Sequence, residues 1–194
     1  MRGNGMSIPA TLEHNFIRGH AITGIALVIA GSAIIALAAQ IAVPIPLTPV
    51  PLSLSPLAVL IVGIVLGSRR GAAAAILYLL EGLSGLPVGA QGHGGPLWLI
   101  GPTAGYLYAY PLAAFIAGWF SERGWGASMQ RAFIAMLVAL AVIYAGGWSW
   151  LAILSGPRAA FNMAVVPFVI ADIMKIVIGA AILPYAQRLV GPSS

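Results

Sequence analysis

The chain has 194 residues, of which 60% are hydrophobic and only 7% charged, with a mean hydropathy of +1.00. A soluble domain carries roughly 25% charged residues, so this chain cannot cover itself against water and the bilayer is the solvent that fits. The net charge of +5 is no nucleic-acid footprint, because its nine Lys/Arg are scattered between apolar runs, and the absence of cysteine excludes disulfides and thiolate chemistry.

Residues 1–20 contain Arg2, Glu13, His14, Arg18 and His20 and no apolar core. They read as a cytoplasmic or interfacial N-terminal segment rather than a cleaved signal; residues 8–19 form a short interfacial helix or stay disordered. The first span is predicted at residues 21–43, ended by Pro44 and Pro46. The next segment carries Pro46, Pro49, Pro51 and Pro56, which forbid a regular helix. Irregular backbone at membrane depth is tolerated only inside protein or along a wet cavity, so this segment is an outer loop or a cavity lining.

A second span at 57–67 leads through Gly67-Ser68-Arg69-Arg70-Gly71, read as a tight basic turn, into a third at 72–83. Residues 82–105 are glycine-rich. A fourth span at 103–120, a polar stretch at 121–130, a fifth span at 132–154, a turn at 155–158 and a sixth span at 160–183 complete the pattern. The expected architecture is an all-α integral membrane protein, a compact bundle of six transmembrane helices. The membrane domain covers residues 21–187 and the polar tail 188–194.

Six spans put Arg2, Arg18, Arg69, Arg70, Arg123, Arg131 and Arg188 on one side and only Arg158 on the other. Positive charge marks the cytoplasmic side, so both termini are expected there. The proline-rich segment, the glycine-rich loop and the 155–158 turn then share one outward mouth.

The sixth span holds Asp172 and Lys175, the single lysine, at a spacing that places both on one helix face. Ionisable groups at such depth usually face a bundle interior or a watery cavity. The two are either an ion pair that staples helices or a polar anchor for a ligand. Lys175 suits a carboxylate and Asp172 suits N–H donors. Glu81 reads as an ordinary helix-end charge. Trp98, Tyr106, Tyr108, Tyr110, Trp148 and Trp150 read mainly as an interfacial belt, with one or two lining a pocket. Neither a Walker A loop nor HExxH occurs, and no nucleophile or metal constellation accompanies Asp172, which argues against an enzyme.

Val50-Pro51-Leu52-Ser53-Leu54, Leu66-Gly67-Ser68-Arg69-Arg70-Gly71, Tyr78-Leu79-Leu80-Glu81-Gly82 and Gly85-Leu86-Pro87-Val88 follow one another in this order. Gly101-Pro102-Thr103-Ala104-Gly105-Tyr106-Leu107 and Pro167-Phe168 with Asp172-Ile173-Met174-Lys175 complete the series. In order and spacing these stretches resemble the BioY family, the biotin-specific capture subunits (S components) of energy-coupling-factor transporters.

The resemblance spans residues 40–180. It implies six helices with cytoplasmic termini in a prokaryotic plasma membrane and an outward-facing biotin pocket covered by the first loop and the glycine-rich loop. It assigns Asp172 and Lys175 to that pocket. Tyr106, Thr103 and Ser55 in the matched stretches, and Gln91 and Gly92 in a glycine-rich loop permissive enough to approach a ligand with its backbone, are further expected ligand-binding positions. Ala26 and Ala30 match the small-residue motif that docks a transmembrane coupling protein, and two ATPase subunits would supply the energy; no cofactor is implied.

The chain departs from the family's usual Pro-Ile-Thr-Leu-Gln-Thr at Pro51-Leu52-Ser53-Leu54-Ser55-Pro56, and from Phe-Ala-Gly-Gly at Gly89-Ala90-Gln91-Gly92. An S component for another vitamin or a biotin relative, and a solitary transporter without ATPases, are the alternatives.

Overall fold

A computed structural model describes residues 10–46 and 48–190, with side-chain surroundings for 22–46 and 48–184. It contains helices α1 (Ala10–Gln40), α2 (Ser55–Leu66), α3 (Ser68–Leu83), α4 (Ala104–Ser121), α5 (Met129–Ser155), α6 (Pro157–Ala164) and α7 (Val169–Val190). Two short strands, β1 (Ala42–Val43) and β2 (Leu52–Ser53), pair antiparallel with Ala42 opposite Ser53. Residues 1–9 and 191–194, which hold the outer parts of the expected terminal segments, lie outside the described residues.

The bundle is small inside and large outside. Ala74, Ala75, Ala113, Ala114, Ala117, Ala132, Ala135 and Ala139 are buried, while Ile22, Ile25, Ile29, Leu37, Leu112, Ile153, Ile170 and Ile178 are exposed. Water would drive those side chains inward; hydrocarbon does not, and small residues let helices approach closely. The crossing of α4 and α5 shows the limit of that approach. A Cβ on Gly105 would lie 2.3 Å from the Gly146 carbonyl oxygen, and one on Gly146 would lie 2.5 Å from the Gly105 oxygen. Where α2 meets α3, a Cβ on Gly71 would lie 2.6 Å from the Gly63 Cα.

Residues 10–19 run on into α1 as one helix rather than forming a separate interfacial helix or staying disordered. Two further features differ from the sequence reading. Ser68-Arg69-Arg70-Gly71 is not a turn but the first turn of α3. Gly67 alone, at φ 83°, separates α2 from α3. Glu122, at the end of α4, accepts hydrogen bonds from the Ser68 amide at 2.7 Å and the Ser68 hydroxyl at 2.8 Å. This anion satisfies a free amide at the helix start, so α3 begins without a linker.

The second difference lies in the sixth predicted span, which is a broken pair: α6 and α7 meet at a 45° bend. Pro167 has no N–H to donate and disfavours helical geometry at the residue before it; Val165, where α6 stops, has φ −118°. The Met163 carbonyl, which an N–H at 167 would have served, accepts from the Thr48 hydroxyl at 2.8 Å; the Ala164 carbonyl, left free because Phe168 donates to Val165, accepts from the Tyr106 hydroxyl at 2.6 Å.

By length and apolarity, residues 22–40 of α1 and all of α5 suffice to cross a bilayer, and the bent pair makes a third crossing if taken together. The 12 residues of α2 extend only about 18 Å. The apolarity of α4 is diluted by Tyr106, Tyr108, Tyr110 and Pro111, and two of those tyrosines face a cavity.

Replacing Gly105 with Val puts side-chain atoms into the Gly146 backbone. The expected loss is about 1–3 kcal/mol, read as a lower thermal-unfolding midpoint in detergent, whereas Leu112→Val on the exposed face leaves the midpoint unchanged.

Candidate functional site: a cavity at one end of the bundle

One end of the bundle is where α2, α4 and α7 begin and α1 and α3 finish. Between these helix ends lies a cavity open to solvent, with about 580 Å³ of empty space when its open mouth is included. Arg69, Arg70, Arg123 and Arg131 sit near the other ends of their helices, and Arg158 opens α6 near the cavity end.

The first loop closes one side. The Leu54 amide donates to the Ile41 carbonyl, and the β1–β2 pairing folds the proline-rich segment back over the cavity. The Thr48 hydroxyl donates to the Met163 carbonyl at 2.8 Å, tying the loop to α6. Val50, Pro51, Leu52 and Ser53 therefore line the cavity. Of the two readings left open for this segment, cavity lining is the one the structure adopts.

The glycine-rich loop closes another side and carries Trp98. A Cβ on Gly82 would fall 2.0 Å from the Trp98 ring, and one on Gly89 would fall 2.6 Å from its Nε1, so these two glycines make the seat for the indole. Tyr78 meets the Trp98 ring edge-on, with centroids 5.5 Å apart, and Tyr110 lies beyond Tyr78 at 6.4 Å. The side-chain amide of Gln40, at the end of α1, lies 3.2–3.3 Å from the carbonyls of Pro87, Val88 and Gly89 and anchors the loop's start.

The charged group of the cavity is Asp172, 5% exposed in the first turn of α7, an end that favours negative charge. Lys175 reaches back one turn to place Nζ 2.7 Å from Asp172 Oδ1 and donates also to the Ser53 carbonyl at 2.8 Å. The Tyr144 hydroxyl, from α5, donates to Asp172 Oδ2 at 2.7 Å. One carboxylate thus joins α7, α5 and the first loop. Nearby, the Ser53 and Ser55 hydroxyls lie 2.9 Å apart.

Of the site residues expected from sequence, Asp172, Tyr106, Thr103 and Ser55 line the cavity. Lys175 is not among the lining residues and is held by its two acceptors, Asp172 and the Ser53 carbonyl. Gln91 and Gly92 are exposed and off the lining; their neighbour Ala90 is on it. Gln91 adopts a left-handed conformation at φ 59°, which turns the loop there.

Trp98 and Tyr110 also line the cavity, whereas Tyr108 and Trp148 are exposed, as belt residues would be. Sequence reasoning gave no role to Tyr78, Tyr144 or Phe168, which are part of the wall. The signal for Tyr144 was a hydroxyl in the middle of an apolar helix, where it needs a partner. Glu81 is more than a helix-end charge, because it accepts from the fully buried Ser32 hydroxyl and ties α3 to α1.

A helical bundle of this type, with an aromatic cavity built round a buried carboxylate at one end, defines a membrane protein that binds a small molecule. Residues 10–192 match the BioY family, and the chain belongs to that family. It is 39% identical over 159 residues to the "Probable biotin transporter BioY" of Pyrococcus horikoshii, covering 82% of this chain and 91% of that protein. It is 38% identical over 151 residues to the "Biotin transporter BioY" of Thermotoga maritima, covering 76% and 86%. The fold matches the crystal structure of the S-component for biotin from an ECF-type ABC transporter with a TM-score of 0.80 at 22% identity, over 88% of this chain and 93% of the other. These relatives are transporters, not enzymes.

Lys175→Met strands the Asp172 carboxylate in its buried setting. It is expected to lower stability by about 3–5 kcal/mol, and Asp172→Asn combined with Lys175→Met to recover most of that loss. Thermal unfolding of the two variants in detergent reads the difference.

Proposed function

We propose that this chain is a biotin-capture subunit for uptake, working in a prokaryotic plasma membrane. Membership of the BioY family and the names of its relatives support the substrate. The observation that carries the reading is the cavity itself: apolar and aromatic walls for a bicyclic ring, interrupted by one carboxylate that can accept N–H bonds. Biotin's ureido group offers two such N–H donors. Each Asp172 oxygen receives one hydrogen bond from the protein and keeps a lone pair for a ligand.

Residues 21–187 form the membrane domain on this reading. The chain crosses six times, with α6 and α7 counted as one bent crossing and both termini in the cytoplasm; the arginines at the end remote from the cavity favour that orientation. Residues 1–20 and 188–194 are then the cytoplasmic segments. The cavity opens outward, and the proline-rich and glycine-rich loops cover the ligand.

Ala26 and Ala30 stand exposed on the outer face of α1, where a transmembrane coupling protein could approach the backbone closely. Two ATPase subunits would drive the cycle. No covalent chemistry is involved.

Calorimetric titration of biotin into the purified chain is expected to give saturable heat and a rise in unfolding temperature; no heat and no stabilisation overturn the reading. Asp172→Asn is expected to weaken biotin binding by about 10–100-fold, the value of a hydrogen bond to a charged group. Ala26→Trp with Ala30→Trp is expected to abolish co-purification with an ATPase module, and retained assembly refutes docking on that face.

A further inference from the structure

The charges at the cavity also bear on which end of the ligand is recognised. Among the described residues on its lining, Asp172 is the only charged side chain, and it is negative. The nearest cation, Lys175, is not among the lining residues and is already paired: Nζ binds Asp172 Oδ1 at 2.7 Å and the Ser53 carbonyl at 2.8 Å, which leaves one of its three N–H groups. The pair is therefore neutral as a unit, and the member on the cavity lining is the carboxylate. Other polar lining side chains belong to Ser53, Ser55, Thr103, Trp98 and the tyrosines, and none carries positive charge.

His93 and Arg158, the described titratable cations nearest this end in the chain, are exposed and off the lining. His93 Nδ1 is engaged with the Ala90 carbonyl at 2.6 Å. Any contact from these two to a ligand would be made in water, where ion pairs contribute little.

A carboxylate drawn into such a cavity would lose its hydration without gaining a net counter-charge, because Asp172 already neutralises Lys175. It is better left in water at the mouth, with the N–H-bearing end turned to Asp172. We infer that this chain selects its ligand at the uncharged ring end and is indifferent to the charge of the tail, so that its substrates include tail-neutral biotin derivatives such as the primary amide. This rests on the biotin reading above.

The test is a calorimetric series on the full chain in detergent, titrated with biotin, biotin primary amide and a biotin methylated on a ureido nitrogen. A site that desolvated the carboxylate against a cation would lose about a hundredfold or more on amidation. Here the amide is expected to bind within about tenfold of biotin, while ureido methylation weakens binding by more than tenfold.

If biotin binds and the amide is weaker by more than tenfold, the inference falls and the biotin reading stands. If the amide holds but the methylated ring binds as well as biotin, recognition at the ring end falls. If biotin itself does not bind, both readings fall together.

Discussion

A carboxylate held away from water in a bundle of apolar helices must be compensated by its neighbours, and the geometry of this protein's functional end follows from how Asp172 is compensated. Lys175 neutralises it from one turn along the same helix, and Tyr144 occupies its second oxygen from α5. The lysine is in turn held by the Ser53 carbonyl, so the first loop is bound to the same charge. Removing any one of these contacts leaves a buried polar group without its partner, the costliest kind of defect in a low-dielectric interior. An arrangement of this sort fixes the relative positions of α5, α7 and the β1–β2 segment far more tightly than dispersion between aliphatic side chains would.

Close helix approach elsewhere in the bundle explains why there is room for a cavity at this end. Glycine and alanine bring α4 against α5 at Gly105 and Gly146, and α2 against α3 and α4 at Gly63, Gly71 and Ala114. The space for bulky rings is concentrated where the helices start and stop. Trp98, Tyr78, Tyr106, Tyr110 and Phe168 occupy it, and glycines mark the places where the rings need clearance: Gly82 and Gly89 beside Trp98, Gly147 against Tyr106. Tyr106 also repairs the break between α6 and α7 by donating to Ala164, so a wall residue of the cavity supports the bend as well.

The class of fold was legible from composition, because 7% charge leaves no other solvent, and the helix positions followed from proline and glycine punctuation. The pairing of Asp172 with Lys175 was legible from their spacing alone. The hidden features depend on contacts between segments distant in the chain. The start of α3 at Ser68 depends on Glu122, 54 positions away, so the local sequence reads as a turn. The kink at Pro167 could be suspected locally, but the carbonyls it leaves free are taken up by Thr48 and Tyr106 from distant segments. Tyr144 was hidden because a single hydroxyl on an apolar helix does not reveal its partner. Gln91 and Gly92 were suggested by loop permissiveness, and the loop spends that freedom on its own turn, presenting Ala90 to the cavity.

The seating of Trp98 has an optical consequence. Of the five tryptophans, Trp98 alone is buried; the other four are exposed or half-buried. Its indole lies on the cavity wall, edge-on to Tyr78, in surroundings that a bound molecule would change directly. The chain therefore carries its own spectroscopic label at the place where occupancy occurs. A shift in the blue edge of its intrinsic emission would report ligand entry without modification of either partner, and the four more exposed indoles would contribute a red-shifted background.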